Sequence, residues 1–347
     1  MLSYYLDSKK KLEFKNGSFR VLIFTDMHAK RRIDPRTLAF LEATVKREQP
    51  DLVLWDGDNV VDGPDEESFK SIVSALAEPM ERRGIPWAQV FGNHDEECCF
   101  DRKIQQKIYE SFDCNISKSA PGIHGVGNHM LPVWKDEQIA LAFWGIDSND
   151  YLSTDNDFYP GDLEKAVLLP KVMFRDCGYA FIRFDQIRWY WDLSVELERL
   201  AGGKVPGIMY FHTCLNEFAM VPYNPKETGM TGKQNEPLCP STLNSGLFTA
   251  LLERGDVKGV YCGHDHTNTY EGAYCGVRLG FCGSAGFGTY GLSSHYDSGP
   301  HQDADKHALR CARLLTFREE NVSEYESEII LARDLIDMTP VEYIDLV

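Results

Sequence analysis

Five short clusters in this chain combine carboxylate, carboxamide and imidazole groups: Asp26-Met27-His28, Gly57-Asp58-Asn59, Gly92-Asn93-His94-Asp95, His212, and Gly263-His264-Asp265-His266. Each alone is ordinary, because Gly-Asp and Asn-His pairs are common turn residues. Five in order, each following an apolar run, are hard to attribute to turns and read as one metal site. Its candidate ligands are Asp26, His28, Asp58, Asn93, His212, His264 and His266. Imidazole, carboxylate and one carboxamide, with no obligatory thiolate, suit Mn, Fe, Zn or Ni better than a structural zinc cluster. This set is too large for one catalytic ion that keeps an open position, so two ions are expected, with a carboxylate shared between them.

The elements that must carry these clusters follow an α/β rhythm: a short β-branched run, a Gly/Asp/Asn/His cluster, then a helical stretch. Phe19 to Phe24, Asp51 to Trp55, Pro86 to Phe91, Val205 to Phe211 and Val257 to Cys262 read as strands. Leu38, Leu41 and Val45, then Phe69, Ile72, Val73, Leu76 and Met80, fall at helical spacing. Gln186 to Leu200 reads as a helix stopping at Gly202, and Leu247 to Arg254 as one stopping at Gly255. Ligand sites in α/β sheets lie beyond the carboxyl ends of strands, so the five clusters should converge.

Composition bounds the partners. A net charge of -17 argues against a Lys/Arg surface for nucleic-acid polymers, whereas a small phosphate ester stays compatible because bound cations reverse the local field. Residues 1–15 hold no apolar run of signal-peptide length, and no segment approaches a membrane span, so a soluble cytoplasmic chain with no membrane partner is expected. The ten cysteines show no disulfide spacing and read as reduced thiols. Nothing in the spacing sets the oligomeric state.

The five blocks, in this order over roughly residues 19 to 290, resemble the calcineurin-like metallophosphoesterase superfamily. The stretches 244–248 (NSGLF), 255–258 (GDVK) and 263–266 (GHDH), with the Gly-rich 283–291, resemble its purple-acid-phosphatase-like branch of fungi and plants. The resemblance implies an α/β fold, a four-layer α/β/β/α sandwich, as a single domain over 1–347 with its motif core at about 19–290 and C-terminal strands and tail at 291–347.

It also implies a hydrolase of phosphate esters, a small phosphomonoester ahead of a small or nucleotide-like diester, acting through a hydroxide between two Mn, Fe or Zn ions. Asp26, His28 and His266 would hold the first ion, Asn93, His212 and His264 the second, and Asp58 both. His94 would act beside the ions as leaving-group acid or charge stabiliser, oriented by Asp95. Purple acid phosphatases carry a tyrosine ligand where this chain has Val61 and a glycine where it has His28, so the iron-tyrosinate colour should be absent. A non-catalytic binding scaffold is the rival from another class.

Four further readings concern single positions. Lys30, Arg31 and Arg32, directly after the first block, could reach a substrate phosphate or equally begin a solvated helix. Gly127-Asn128-His129 repeats the letters of the third block but follows no strand, and reads as a turn entering one. Asp62 falls one place later than the superfamily's second acidic residue and reads as a solvated turn. The loops 122–176 and 221–242 are expected to carry specificity.

Overall fold

Alternation within the strands decides the layering, because successive side chains of a strand point to opposite faces. A computed structural model describes residues 1–151, 178–292 and 306–346. Its strands are β1 (Leu12–Glu13), β2 (Ser18–Phe24), β3 (Arg32–Ile33), β4 (Leu52–Asp56), β5 (Trp87–Val90), β6 (His129–Lys135), β7 (Gln138–Gly145), β8 (Gly207–Tyr210), β9 (Val257–Cys262), β10 (Glu271–Tyr274), β11 (Val277–Phe281), β12 (Cys311–Arg318), β13 (Asn321–Leu331) and β14 (Ile344–Asp345). The helices are α1 (Leu2–Leu6), α2 (Pro35–Glu48), α3 (Glu66–Glu81), α4 (Arg102–Glu110), α5 (Phe184–Ala201), α6 (Met220–Tyr223) and α7 (Leu247–Arg254).

Two large sheets form, ordered β13-β12-β2-β4-β5 and β1-β6-β7-β8-β9-β11-β10, and β14 pairs with β3 in a two-stranded third. Val21, Ile23, Leu52, Leu54 and Val90 of the first meet Val133, Leu141, Phe143, Ile208 and Tyr261 of the second in one apolar interlayer. The alternate residues Leu22, Phe24, Val53 and Trp55 face outward, onto Phe40, Leu41 and Val45 of α2 and Phe69, Ile72, Val73 and Leu76 of α3. On the far side Trp144, Met209 and Val260 pack against Trp189, Tyr190 and Leu193 of α5 and Leu247, Phe248 and Leu251 of α7. The result is the four-layer α/β/β/α sandwich that the resemblance implied.

Helix ends follow their capping residues. Asp34 accepts from Arg36 N ahead of Pro35 at the start of α2, Asp65 accepts from Ser68 N at α3, and Gly202 and Gly255 close α5 and α7 in left-handed conformations. The acidic stretch after Glu319 packs as β13, paired along β12 at the sheet's edge. The parallel runs β2-β4-β5 and β7-β8-β9 put the carboxyl ends of six strands along one rim, five of which lead into the clusters. No helix among the described residues is long and apolar enough to cross a membrane, and the nine described cysteines are free thiols.

Candidate metal centre

Beyond the sheet rim, the loops after β2 and β4 run side by side. Asp26 N donates to Gly57 O at 3.1 Å, His28 N to Asp58 O at 2.9 Å and Ala29 N to Asn59 O at 2.9 Å, extending the parallel ladder past both strands. Asp26, His28 and Asp58 hold φ of 51°, 45° and 50°, and His264 holds 72°, a left-handed conformation costly for residues with a Cβ. Gly57 is required for a different reason: at φ 86°, a Cβ there would stand 2.6 Å from His212 Nδ1. A Cβ on Gly92 would overlap the Asp58 carboxylate. Glycine precedes these ligands because another ligand occupies the space.

The structure gathers six of the seven candidate ligands into two groups, and Asn93 lies between Gly92 and His94, which both meet Asp58. Ligand atoms of Asp26, His28, Asp58 and His266 lie within 4.8 Å of one another, as do those of Asp58, His212 and His264, so Asp58 belongs to both groups. Asp58 Oδ2 stands 3.0 Å from His212 Nε2 and 3.3 Å from His28 Nε2, and Asp26 Oδ1 stands 3.0 Å from His266 Nε2. Yet Asp26 Oδ1, His28 Nε2, Asp58 Oδ2, Asn93 Oδ1, His212 Nε2 and His264 Nε2 are buried with no hydrogen-bond partner among the described residues. Buried polar atoms are normally satisfied. Imidazole nitrogens and carboxylate oxygens that converge outside hydrogen-bond geometry fit divalent cations between them, and the donor set suits Mn, Fe or Zn.

The opposite edge of several ligands is anchored, which fixes what faces inward. Asp26 Oδ2 accepts from Thr25 Oγ1 at 2.7 Å and His264 N at 3.0 Å. Asp58 Oδ1 accepts from His94 N at 2.8 Å. His212 Nδ1 lies 2.8 Å from Asp56 O, which can only accept, so Nδ1 carries the proton and Nε2 is bare unless the ring is charged. Asn93 Nδ2 donates to Tyr151 Oη at 2.8 Å, leaving its carbonyl oxygen for the centre.

Electrostatics point the same way. Burial raises the carboxyls of Asp26 and Asp58, but His266 and His212 beside the first, and His212 and His28 beside the second, outweigh it and hold both below the usual carboxylate range. Burial would lower His28 and His212, and the two carboxylates instead raise them to about 9 and about 10. Burial and then the charge of His212 push His264 down to about 3. Without cations, protons on His28 and His212 stand in for the missing positive charge.

Two parts of the sequence reading change. Asp95 does not orient His94: its Oδ1 accepts from Asn59 N at 3.0 Å and Val60 N at 3.1 Å, and its Oδ2 from Gly92 N at 2.8 Å. It clamps the Asp58 loop to the Asn93 loop, and burial with the nearby Asp58 raises its carboxyl to about 6. The partner of His94 is Glu97, 2.6 Å from Nδ1 across a short 3-10 turn. Residues three apart eclipse in such a turn, so this pairing had a readable signal. Of the three cations after the first block, Lys30 lines the cavity and Arg31 and Arg32 do not; Arg32 sits in β3, paired with β14.

The cavity over the ligands holds about 330 Å³ and is also lined by His94, Glu97, Tyr179, Cys239 and Tyr290. His94, 35% exposed, stands with its ring 5.0 Å from that of His28. His129 enters β6 buried, bonded to Gly127 O and Tyr210 Oη, away from the centre. Asp62 is exposed. The loop 221–242 supplies Cys239 to the cavity, while residues 152–176 of the other expected specificity loop lie outside the described residues. Tyr179 and Tyr290 escaped the sequence reading because no spacing ties them to the clusters, whereas Glu97 was missed despite its spacing of three from His94.

Known proteins match this arrangement. The calcineurin-like phosphoesterase family model matches residues 19–268. The chain is 32% identical over 321 residues to probable inactive purple acid phosphatase 14 of Arabidopsis thaliana, covering 82% of this chain and 74% of that protein. It is 26% identical over 285 residues to phosphatase DCR2 of Saccharomyces cerevisiae, covering 74% of this chain and 46% of that protein. Among solved structures, a dimetal phosphatase from Danio rerio superposes with a TM-score of 0.54 at 11% identity, covering 90% of this chain and 99% of that one. GAP50, the anchor in the inner membrane complex of Plasmodium, does so with 0.55 at 11% identity, covering 94% and 89%. At that identity the two structures share the fold alone. Fold, motif order and sequence relatives agree that the chain belongs to the calcineurin-like phosphoesterase family.

Proposed function

We propose that this chain hydrolyses a small phosphomonoester, and a small diester less readily, with Asp26, His28 and His266 holding one divalent ion, Asn93, His212 and His264 a second, and Asp58 both. The observation that carries this reading is the set of six buried, unpartnered ligand atoms converging around a carboxylate common to two groups. Bound there, the cations would offset charge on the phosphoryl oxygens and lower the pKa of attacking water. The protein's own groups supply the rest. With Nδ1 held by Glu97, the His94 ring presents Nε2 to a leaving-group oxygen, and Lys30 offers a cation to the substrate at the cavity wall. A cavity of about 330 Å³ in a chain of net charge -17 favours a small ester over a polymer. The preference for a monoester leans on the purple-acid-phosphatase relatives.

The reading takes residues 1–347 as one domain, since β12 and β13, beyond the matched region, complete the sheet that carries Asp26 and Asp58. The word "inactive" in the name of the Arabidopsis relative favours a second reading, a scaffold without turnover. A complete ligand set with His94 beside it speaks against that, because a lapsed site has no need of unpaired buried imidazoles. The discriminating experiment loads the full chain with Mn2+ and assays p-nitrophenyl phosphate against bis-p-nitrophenyl phosphate. Metal-dependent turnover with the monoester preferred supports the first reading. No turnover of either, with two ions bound, would leave the scaffold.

A further inference from the structure

We propose that Tyr290 and Glu236 are positioning residues for the first ion, fixing both the rotamer and the tautomer of His266. The proposal rests on the dinuclear reading above. The Tyr290 ring lies flat on the His266 imidazole, with centroids 3.8 Å apart and planes 12° from parallel. The carbonyl oxygen of the same residue lies 3.2 Å from His266 Nδ1. A carbonyl can only accept, so Nδ1 carries the proton, with the Thr289 hydroxyl 3.3 Å away free to accept it too, and Nε2 turns a bare lone pair toward Asp26 Oδ1, 3.0 Å away. A lone pair and a carboxylate oxygen at that separation repel unless a cation sits with them. Tyr290 therefore holds His266 from its face and from its edge in an arrangement useful only to a metal.

Glu236 holds Tyr290 and the turn beyond His266 at once. Its Oε2 accepts from Tyr290 Oη at 3.0 Å, and its Oε1 accepts from Thr267 N at 2.7 Å and Thr267 Oγ1 at 2.9 Å. The backbone joins in: Asn235 N and Glu236 N donate to Asn268 Oδ1 at 2.9 and 3.1 Å, and Asn235 Nδ2 donates to Thr267 O at 2.7 Å. From the other side, the buried Arg310 donates to Tyr290 O at 2.8 Å and Thr289 O at 2.7 Å. The bracket closes on one ligand of the first ion. His212 and Asn93, on the second, are anchored by Asp56 and Tyr151 instead.

That asymmetry gives the test. The full chain and its variants are titrated with Mn2+, bound metal is counted by mass spectrometry after desalting, and electron paramagnetic resonance separates coupled pairs from isolated ions. Tyr290→Ala and Glu236→Ala should weaken the first ion on the order of 10- to 100-fold, leaving an isolated-ion spectrum with the second ion retained. Every variant keeps the backbone carbonyl, so these substitutions test the stack and the hydroxyl: Tyr290→Phe keeps the stack, loses only the bond to Glu236, and should fall between wild type and Tyr290→Ala. Glu236→Gln, which can still accept from Thr267 and meet Tyr290 Oη, should restore the coupled pair. Should an alanine variant fail to fold, Tyr290→Phe against Glu236→Gln carries the comparison. Retention of the coupled pair at unchanged affinity in the alanine variants would overturn the proposal, as would parallel loss of both ions. A wild-type chain that binds fewer than two ions would instead overturn the dinuclear reading, and the proposal with it.

Discussion

Loading the centre with metal should release close to two protons from the ligand imidazoles, besides any from metal-bound water, and the structure sets the imidazole number. His28 and His212 lie against Asp26 and Asp58, whose charge outweighs burial and raises the imidazoles to about 9 and about 10. At about pH 7.5 both are almost fully protonated in the metal-free chain, and each must be neutral to ligate, so about one proton leaves per ion. Ordinary imidazoles near 6.5 would together release only about a fifth of a proton. Each ion's apparent affinity should therefore fall about tenfold per unit of pH below about 9. The assay is isothermal titration calorimetry with Mn2+ in two buffers of different ionisation enthalpy.

The same shifts predict a stability profile. A histidine raised in the folded state stabilises fully below its unfolded pKa, and that contribution is lost as pH rises through the folded value. The metal-free chain should therefore lose stability from about pH 6.5 to about pH 10, while the loaded chain should not. Asp58→Asn removes the strongest influence raising His212, so it should weaken both ions and lower the proton count. Release of less than about half a proton per ion at about pH 7.5 would refute the reasoning, because the imidazoles would then already be neutral in the metal-free chain.

Three other substitutions separate chemistry from scaffold. His94→Ala should keep both ions yet lose on the order of 10²-fold or more in kcat, whereas loss of an ion by metal analysis would make His94 a ligand. Asp95→Ala strands the buried N–H groups of Asn59, Val60 and Gly92 and should cost about 3 kcal/mol or more in urea denaturation, with metal affinity falling alongside; a cost below about 1 kcal/mol would dismiss the clamp. Lys30→Ala should raise KM about fivefold with kcat little changed, and the difference should shrink in high salt; an effect confined to kcat would move Lys30 into the chemistry.

The ligand set was legible because two local constraints wrote it into the sequence. Short apolar runs located the strands β2, β4, β5, β8 and β9 to within a residue or two, and ligands at their carboxyl ends had to meet. Glycine marked the crowding: Gly57 and Gly92 have no room for a Cβ because His212 and Asp58 stand there. What the sequence hid depends on contacts without a period. The resemblance implied that Asp95 orients His94, but the turn sends its carboxylate to three backbone groups on two loops. Glu236 and Tyr290 are 54 residues apart, and each is 24 or more from His266, so no spacing rule joins them.

The strained positions bear on why the site persists. Among the described residues, nine other than glycine have positive φ, and Asp26, His28, Asp58 and His264 are four of them. Strain of this kind costs about 1 kcal/mol or more per residue and survives only where surrounding contacts over-determine the backbone. Here the ladder between the 26–29 and 57–60 loops and the Asp95 clamp do so. Glycine would adopt the same angles without the penalty and without leaving an imidazole buried and unpartnered. A fold kept only for its surface gains nothing from His264 in place of glycine, and it bears both the strain and a buried unpartnered nitrogen. The side chains repay those costs only when something positively charged sits between them.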